Sequence, residues 1–199
     1  MFLRAYKRVA LVSGIFAGGV LLLILGWQGY SALTGVWASQ ELQQALSDYR
    51  ASAYQKAAAQ FSEVASLWPG TASGRLASLY LGHCYVKQES YTKAIEVYKD
   101  FLETTPKGEY LYQLALVSLA LASERTGNNA ESHSFYSQAA SFSGPFTGEA
   151  LLGKARLYES LSDSAKAIEV YQDFLSRYPE SPWEPLLKTK TAALKASPD

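Results

Sequence analysis

Cysteine occurs once in this chain of 199 residues, at Cys84, and histidine twice, at His83 and His133. One thiol makes no intramolecular disulfide and supplies no multi-thiolate zinc site. Adjacent residues on a helix point about 100° apart, so His83 and Cys84 do not share a metal site without ligands from elsewhere. The expectation is a buried thiol beside an imidazole facing a groove, with His133 on the surface. An excess of either charge is also missing: Lys plus Arg and Asp plus Glu each number 18. No long-range positive field exists to hold nucleic acid or an acidic membrane surface, so nucleic acid is not an expected partner. No G-x-x-x-x-G-K-[ST] loop, G-x-S-x-G elbow or H-E-x-x-H helix is present. Acidic pairs such as Glu159 and Asp163 read as solvated helix surface. No enzyme, cofactor or metal site is therefore expected.

Aromatic residues are plentiful, with fourteen Tyr, eight Phe and four Trp. Side chains of that size need a core or an interface to bury them. The hydrophobic fraction of 48% is normal for a folded chain.

From Val9 to Trp27 the sequence has nineteen residues without a charge, including VLLLILGW. That approaches the roughly 20 residues needed to cross a bilayer as a helix. Arg4, Lys7 and Arg8 precede the stretch, while the first basic residue after it is Arg50. The positive-inside bias then predicts a cytoplasmic end at 1–8, a membrane helix at 9–30, a juxtamembrane segment at 31–37 and everything later across the membrane. Trp27, Tyr30 and Trp37 stand where amphipathic aromatics anchor at the far interface. A cleaved leader, with Val36 and Ala38 before a cut at Ser39, is the rival, but its apolar cores are typically about 7–15 residues. No cysteine follows the stretch at a lipidation position, so a lipid anchor is not expected. Gly14 and Gly18 form a G-x-x-x-G spacing that lets two membrane helices approach closely.

Beyond the apolar stretch the chain repeats itself. Residues 94–102 read AIEVYKDFL and residues 167–175 read AIEVYQDFL, identical at eight of nine positions. At the same offset Tyr85 pairs with Tyr158 and Pro106 with Pro179. That offset of 73 residues is close to twice the roughly 34-residue period of helix-turn-helix solenoids. Weaker copies complete four units at 38–71, 75–108, 113–146 and 148–181. The third lacks a closing proline and ends in SGPF. Ala94, Val97, Tyr98 and Phe101 fall on one helical face, opposite Glu96, Lys99 and Asp100. A hairpin of two such helices cannot bury its apolar face alone, so successive hairpins stack into an all-α solenoid. Residues 182–199 read as a cap. Ser181, Pro182, Trp183 and Glu184 resemble a capping box with proline first in the helix, Trp183, Leu187 and Leu194 form an apolar stripe, and Lys188, Lys190 and Lys195 face outward.

Leu81, Gly82, Tyr85, Tyr91, Ala94, Tyr98 and Pro106 stand on the signature positions of the tetratricopeptide repeat (TPR) family, which the chain resembles over 38–181. The resemblance implies a concave groove lined by the first helix of each unit. Carried over position by position, it selects Tyr49 and Arg50, then Leu79, His83 and Lys87, then Val117, Leu121, Glu124 and Arg125, then Leu152, Arg156 and Glu159. Such a groove, mixed apolar and charged, suits a peptide of another protein.

An amino-terminal anchor before an exported TPR domain also looks like the YfgM-like family, whose members sit beside the bacterial secretion translocon and work with periplasmic chaperones. The segment FLSRYPESPW is similar to repeats of periplasmic proteins of the outer-membrane assembly and Tol-associated kinds. The function these likenesses imply is protein binding in the bacterial periplasm from a single-pass inner-membrane anchor. It would be chaperone-like or accessory to secretion and envelope assembly, with envelope or translocon-associated proteins as partners. The alternative is a structural accessory subunit of an inner-membrane complex. Oligomeric state is not legible.

Overall fold

In the computed structural model, residues 21, 22, 25, 26 and 35–196 are described. The expected membrane helix at 9–30, its Gly14 and Gly18, and residues 1–8 lie almost wholly outside them. Among the described residues no helix is long and apolar enough to cross a membrane.

The described chain from 35 onward is all helical, without strands. Helix α1 (35–50) is followed by α2 (Tyr54–Leu67), α3 (Ala72–Lys87), α4 (Tyr91–Thr104), α5 (Tyr110–Arg125), α6 (Asn129–Ser141), α7 (Thr147–Ser160), α8 (Ser164–Arg177) and α9 (Glu184–Ala196). Each helix from α2 onward packs on the next in sequence, and α5 also touches α3 and α7. The helices form antiparallel hairpins stacked side by side. This is the right product of the apolar periodicity: Ala94, Tyr98 and Phe101 of α4, and Ala167, Val170, Tyr171 and Phe174 of α8, are buried. Burying one side chain of Phe size contributes roughly 1.5–3 kcal/mol, so a hairpin gains more from its neighbours than from its own turns.

The four hairpin turns share one backbone closure. Ser52, Glu89, Gly127 and Ser162 have φ of 60°, 57°, 80° and 59°. In each, the amide after the positive-φ residue donates to a carbonyl five residues earlier, as from Ser90 to Tyr85 and from Asp163 to Tyr158, both at 2.9 Å. This is the Schellman arrangement, and three of the four place a side chain where glycine is usual.

Small residues set the distance between helices. A Cβ built on Gly82 would lie 2.4 Å from Cε1 of Tyr98, and one on Gly153 would lie 2.4 Å from Cε1 of Tyr136. Each tyrosine ring therefore lies flat against a helix backbone. The third unit, which lacks a closing proline, is held by Gln113 instead. Its Nε2 donates to the Ala139 carbonyl at 2.9 Å and to Thr147 Oγ1 at 3.0 Å, while its Oε1 accepts from the Phe146 amide at 3.2 Å.

The cap departs from expectation. Helix α9 begins at Glu184, so Pro182 precedes the helix rather than opening it. The Ser181 hydroxyl accepts from the Trp183 amide at 3.3 Å, and the Ser181 amide is itself drawn into a turn with the Tyr178 carbonyl at 3.1 Å. A second turn follows, in which the Glu184 amide donates to the Ser181 carbonyl at 2.9 Å, so Pro182 and Trp183 lie in turns ahead of the helix. Leu187 is buried and Leu194 half-buried, but Trp183 is 52% exposed and lies off the apolar stripe. Lys188 pairs with Glu184 on the same helix, while Lys190 turns back to Glu159 of α7.

Gly82→Ala should lower stability by about 1–3 kcal/mol, because the added methyl meets the Tyr98 ring in a packed interior. Gly70→Ala, where a Cβ meets nothing within 4 Å, should leave the urea midpoint almost unchanged. Conversely, Glu89→Gly and Ser162→Gly should each stabilise by roughly 0.5–1 kcal/mol by relieving left-handed backbone.

Candidate functional site

The twelve residues expected to line one groove divide into two groups. In the amino-terminal half the first helices are occupied by their own packing. Tyr49 stacks edge-on against Tyr80 at 5.2 Å, Tyr80 against His83 at 5.5 Å, and His83 against Tyr98 at 5.9 Å. This aromatic ladder runs from α1 to α4 and accounts for many of the surplus rings. Leu79 is 1% exposed in the core shared by α3, α4 and α5, so it is closed to a ligand. Arg50 and Lys87 are exposed.

The carboxy-terminal half is open. Val117, Leu121 and Arg125 of α5, Leu152 and Arg156 of α7, and Lys190 of α9 face a cavity of about 590 Å³. Tyr136, Tyr171, Trp183 and Leu186 also line it, with Glu149 as its one carboxylate. Gly153 makes this possible: because it has no side chain, Tyr136 of α6 slides beneath α7. Its hydroxyl then donates to Glu124 Oε2 at 3.2 Å and accepts from Arg156 Nη2 at 3.3 Å. Glu124 and Arg156, both expected at the groove, are 3.7 Å apart and brace one another. Glu159, also expected, holds Lys190 through bonds of 2.7 and 2.9 Å. That contact holds the Lys190 proton above its ordinary range, and burial raises the Tyr136 and Tyr171 hydroxyls. Arg125 has no ion-pair partner among the described residues. The site is thus an apolar trough with a cationic edge, able to seat apolar side chains and to pair with a carboxylate.

Several wall residues were not among those expected. Tyr136 and Tyr171 occupy the position of Tyr98 in their repeats, a signal the repeat pattern carries but that reads as core. Lys190 and Trp183 gave no such signal, since both were assigned to a solvating cap.

Residues 36–197 match the model of YfiO, described as an outer membrane lipoprotein. The chain belongs to that family. The match takes in α2 to α9 whole and nearly all of α1, and it includes FLSRYPESPW. No curated protein matches the chain. Among solved structures, a protein of Podosopora anserina described as a kinesin light chain with nearly identical TPR-like repeats is 15% identical, with a TM-score of 0.65 over 78% of this chain and 84% of that one. A tetratricopeptide repeat protein from Parabacteroides merdae is 15% identical, with a TM-score of 0.65 over 79% of this chain and 60% of that one. The MamA protein is 17% identical, with a TM-score of 0.60 over 79% and 84%. These likenesses show a TPR-like solenoid fold. In this YfiO-family chain the single cysteine is buried in α3, and burial pushes its thiol up to about 12. Among the described residues no three His, Cys, Asp or Glu side chains converge on a metal position.

His133 is half-buried rather than on the open surface. Its Nε2 lies 2.7 Å from the Tyr158 hydroxyl, which ties α6 to α7. His83 is more deeply enclosed. Its Nε2 is 3.3 Å from the Ser118 hydroxyl, and burial, with Lys87 nearby, lowers its pKa from 6.5 to about 4.

The unfolded chain therefore binds a proton at His83 between those two values that the folded chain refuses. Stability should be full above pH 6.5 and decline as pH falls toward 4, by about 2–3 kcal/mol from this residue. Urea unfolding followed by tryptophan fluorescence should show that decline in the parent and a flatter profile in His83→Phe.

Proposed function

We propose that this chain is an envelope protein whose solenoid binds segments of other proteins in the trough between α5, α7 and α9. It acts there as a chaperone-like protein or an accessory to secretion or envelope assembly and has no catalytic role. The observation that carries this reading is the trough itself, where Leu121 and Leu152 stand open beside Arg125 and Arg156. An apolar floor anchors a peptide and the guanidinium groups set its register. Membership of a family described as outer membrane lipoprotein supports the envelope setting.

The anchor is a further part of the proposal. Ahead of the matched region, residues 1–35 contain no cysteine. The uncharged stretch from Val9 to Trp27 supplies a membrane helix instead, with residues 1–8 in the cytoplasm and the solenoid in the periplasm. In this respect the chain is closer to the YfgM-like architecture than to a lipidated one. The second reading, a structural subunit of an inner-membrane complex, is favoured by the Gly14 and Gly18 spacing, which suits a helix contact within the bilayer.

Proximity cross-linking in cells, followed by mass spectrometry, separates the two. With Arg125→Glu and Arg156→Gln combined, captured partners should fall by about tenfold, as expected when roughly 1.4 kcal/mol of charge-assisted bonding is removed. A set of partners that survives those changes but disappears from a version beginning at Ser39 would overturn the groove reading in favour of the structural subunit.

A further inference from the structure

A second cleft, of about 870 Å³, opens beside the trough, where the α6–α7 loop, the start of α7 and the α8–α9 loop meet. Its walls are Pro145, Phe174, Tyr178, Pro179 and Trp183, with Leu152 at the back. Gly148 keeps the floor low: a Cβ there would stand 3.2 Å from Phe174 and 3.5 Å from Tyr178. The rings of Phe174 and Tyr178 lie 5.0 Å apart, and Trp183 at the rim is 52% exposed.

The charge of this cleft is of one sign. Glu149 and Glu180 line it, and no Lys or Arg does. Neither carboxylate takes part in an ion pair among the described residues, although every other acid from Glu159 to Glu184 except Glu169 has a basic partner. The trough next door has the opposite character, with Arg125, Arg156 and Lys190, and the two share Glu149, Leu152 and Trp183 as a common wall. Aromatic faces attract cations through their quadrupoles, and carboxylates without a counter-charge add to that attraction. Walls of proline and aromatic rings fit the left-handed polyproline conformation, which presents flat apolar surface and has little conformational entropy to lose.

We propose that this cleft docks an extended, proline-containing basic segment of a partner protein. An arginine or lysine of that segment sits between Glu149 and Glu180, covered by Trp183 and Tyr178, and its prolines lie along Phe174, Pro145 and Pro179. The site shares Glu149, Leu152 and Trp183 with the trough but takes a ligand of opposite charge, so it stands whether or not the trough binds a partner.

The test uses the full-length protein in detergent micelles and fluorescein-labelled synthetic peptides of alternating proline and arginine, read by fluorescence anisotropy. The arginine peptide should bind saturably, and the same peptide with glutamate for arginine should not. Glu149→Gln with Glu180→Gln should weaken binding about tenfold, as loss of charge-assisted bonds implies. Trp183→Ala should weaken it, and Arg125→Glu should leave it unchanged. Both glutamates are at the surface and their amide replacements keep shape, so the fold is retained. Failure of the arginine peptide to bind, equal binding of the glutamate peptide, or indifference to the double glutamine variant would overturn the proposal. Equal binding of a peptide with alanine for proline would overturn the extended proline-containing occupant. Because Arg125→Glu disables the trough alone, loss of cellular partners with retained peptide binding separates failure of one site from failure of the other.

Discussion

Two tyrosines lying against two glycines set the spacing on which the rest of the molecule is built. Gly82 receives Tyr98 and Gly153 receives Tyr136, and in each case a methyl group would intrude to 2.4 Å from the ring. Helices that pack through larger side chains sit about 8–10 Å apart, with the side chains between them deciding the distance. Here a flat ring replaces an interdigitated layer, and the backbones approach. The consequence at Gly153 reaches the trough, because the buried Tyr136 ring carries its hydroxyl to Glu124 and Arg156. One missing side chain thus fixes both a packing distance and the polar edge of the trough.

The solenoid was legible because burial and sequence period express the same fact. In α4 and α8 the buried residues recur every three or four positions, and that recurrence is visible in AIEVYKDFL and AIEVYQDFL without any coordinates. The turns were less legible. Ser52, Glu89 and Ser162 adopt left-handed backbone without being glycine, so the usual turn signal appears only at Gly127. The role of Gln113 was invisible for a related reason: a polar residue in an apolar helix reads as surface until its partners, 26 and 34 residues away, are known.

The groove was half legible. Family positions select one helix face, and Val117, Leu121, Arg125, Leu152 and Arg156 of that selection line one cavity. They carry no information on whether neighbouring rings fill the space, as the ladder from Tyr49 to Tyr98 does in the first two hairpins. The balanced composition concealed a further feature. Eighteen charges of each sign cancel over the chain, yet Arg125, Arg156 and Lys190 gather at the trough, while the cleft beside it is lined by Glu149 and Glu180 and by no basic residue.

Gln113 gives the stack uneven mechanics. A solenoid is a spring whose pitch is set where neighbouring repeats meet. Between α3 and α5 that meeting rests on apolar sliding surfaces, the His83 and Ser118 contact at 3.3 Å, and a half-buried Arg75 and Glu109 pair, also at 3.3 Å. Between the third and fourth hairpins it is bolted by a buried amide with three partners, and hydrogen bonds resist rotation as apolar contacts do not. Tension applied to the amino-terminal end would therefore bend the stack between the second and third hairpins, while the surfaces around α7 and α9 keep their shape, as a rigid head on a compliant neck.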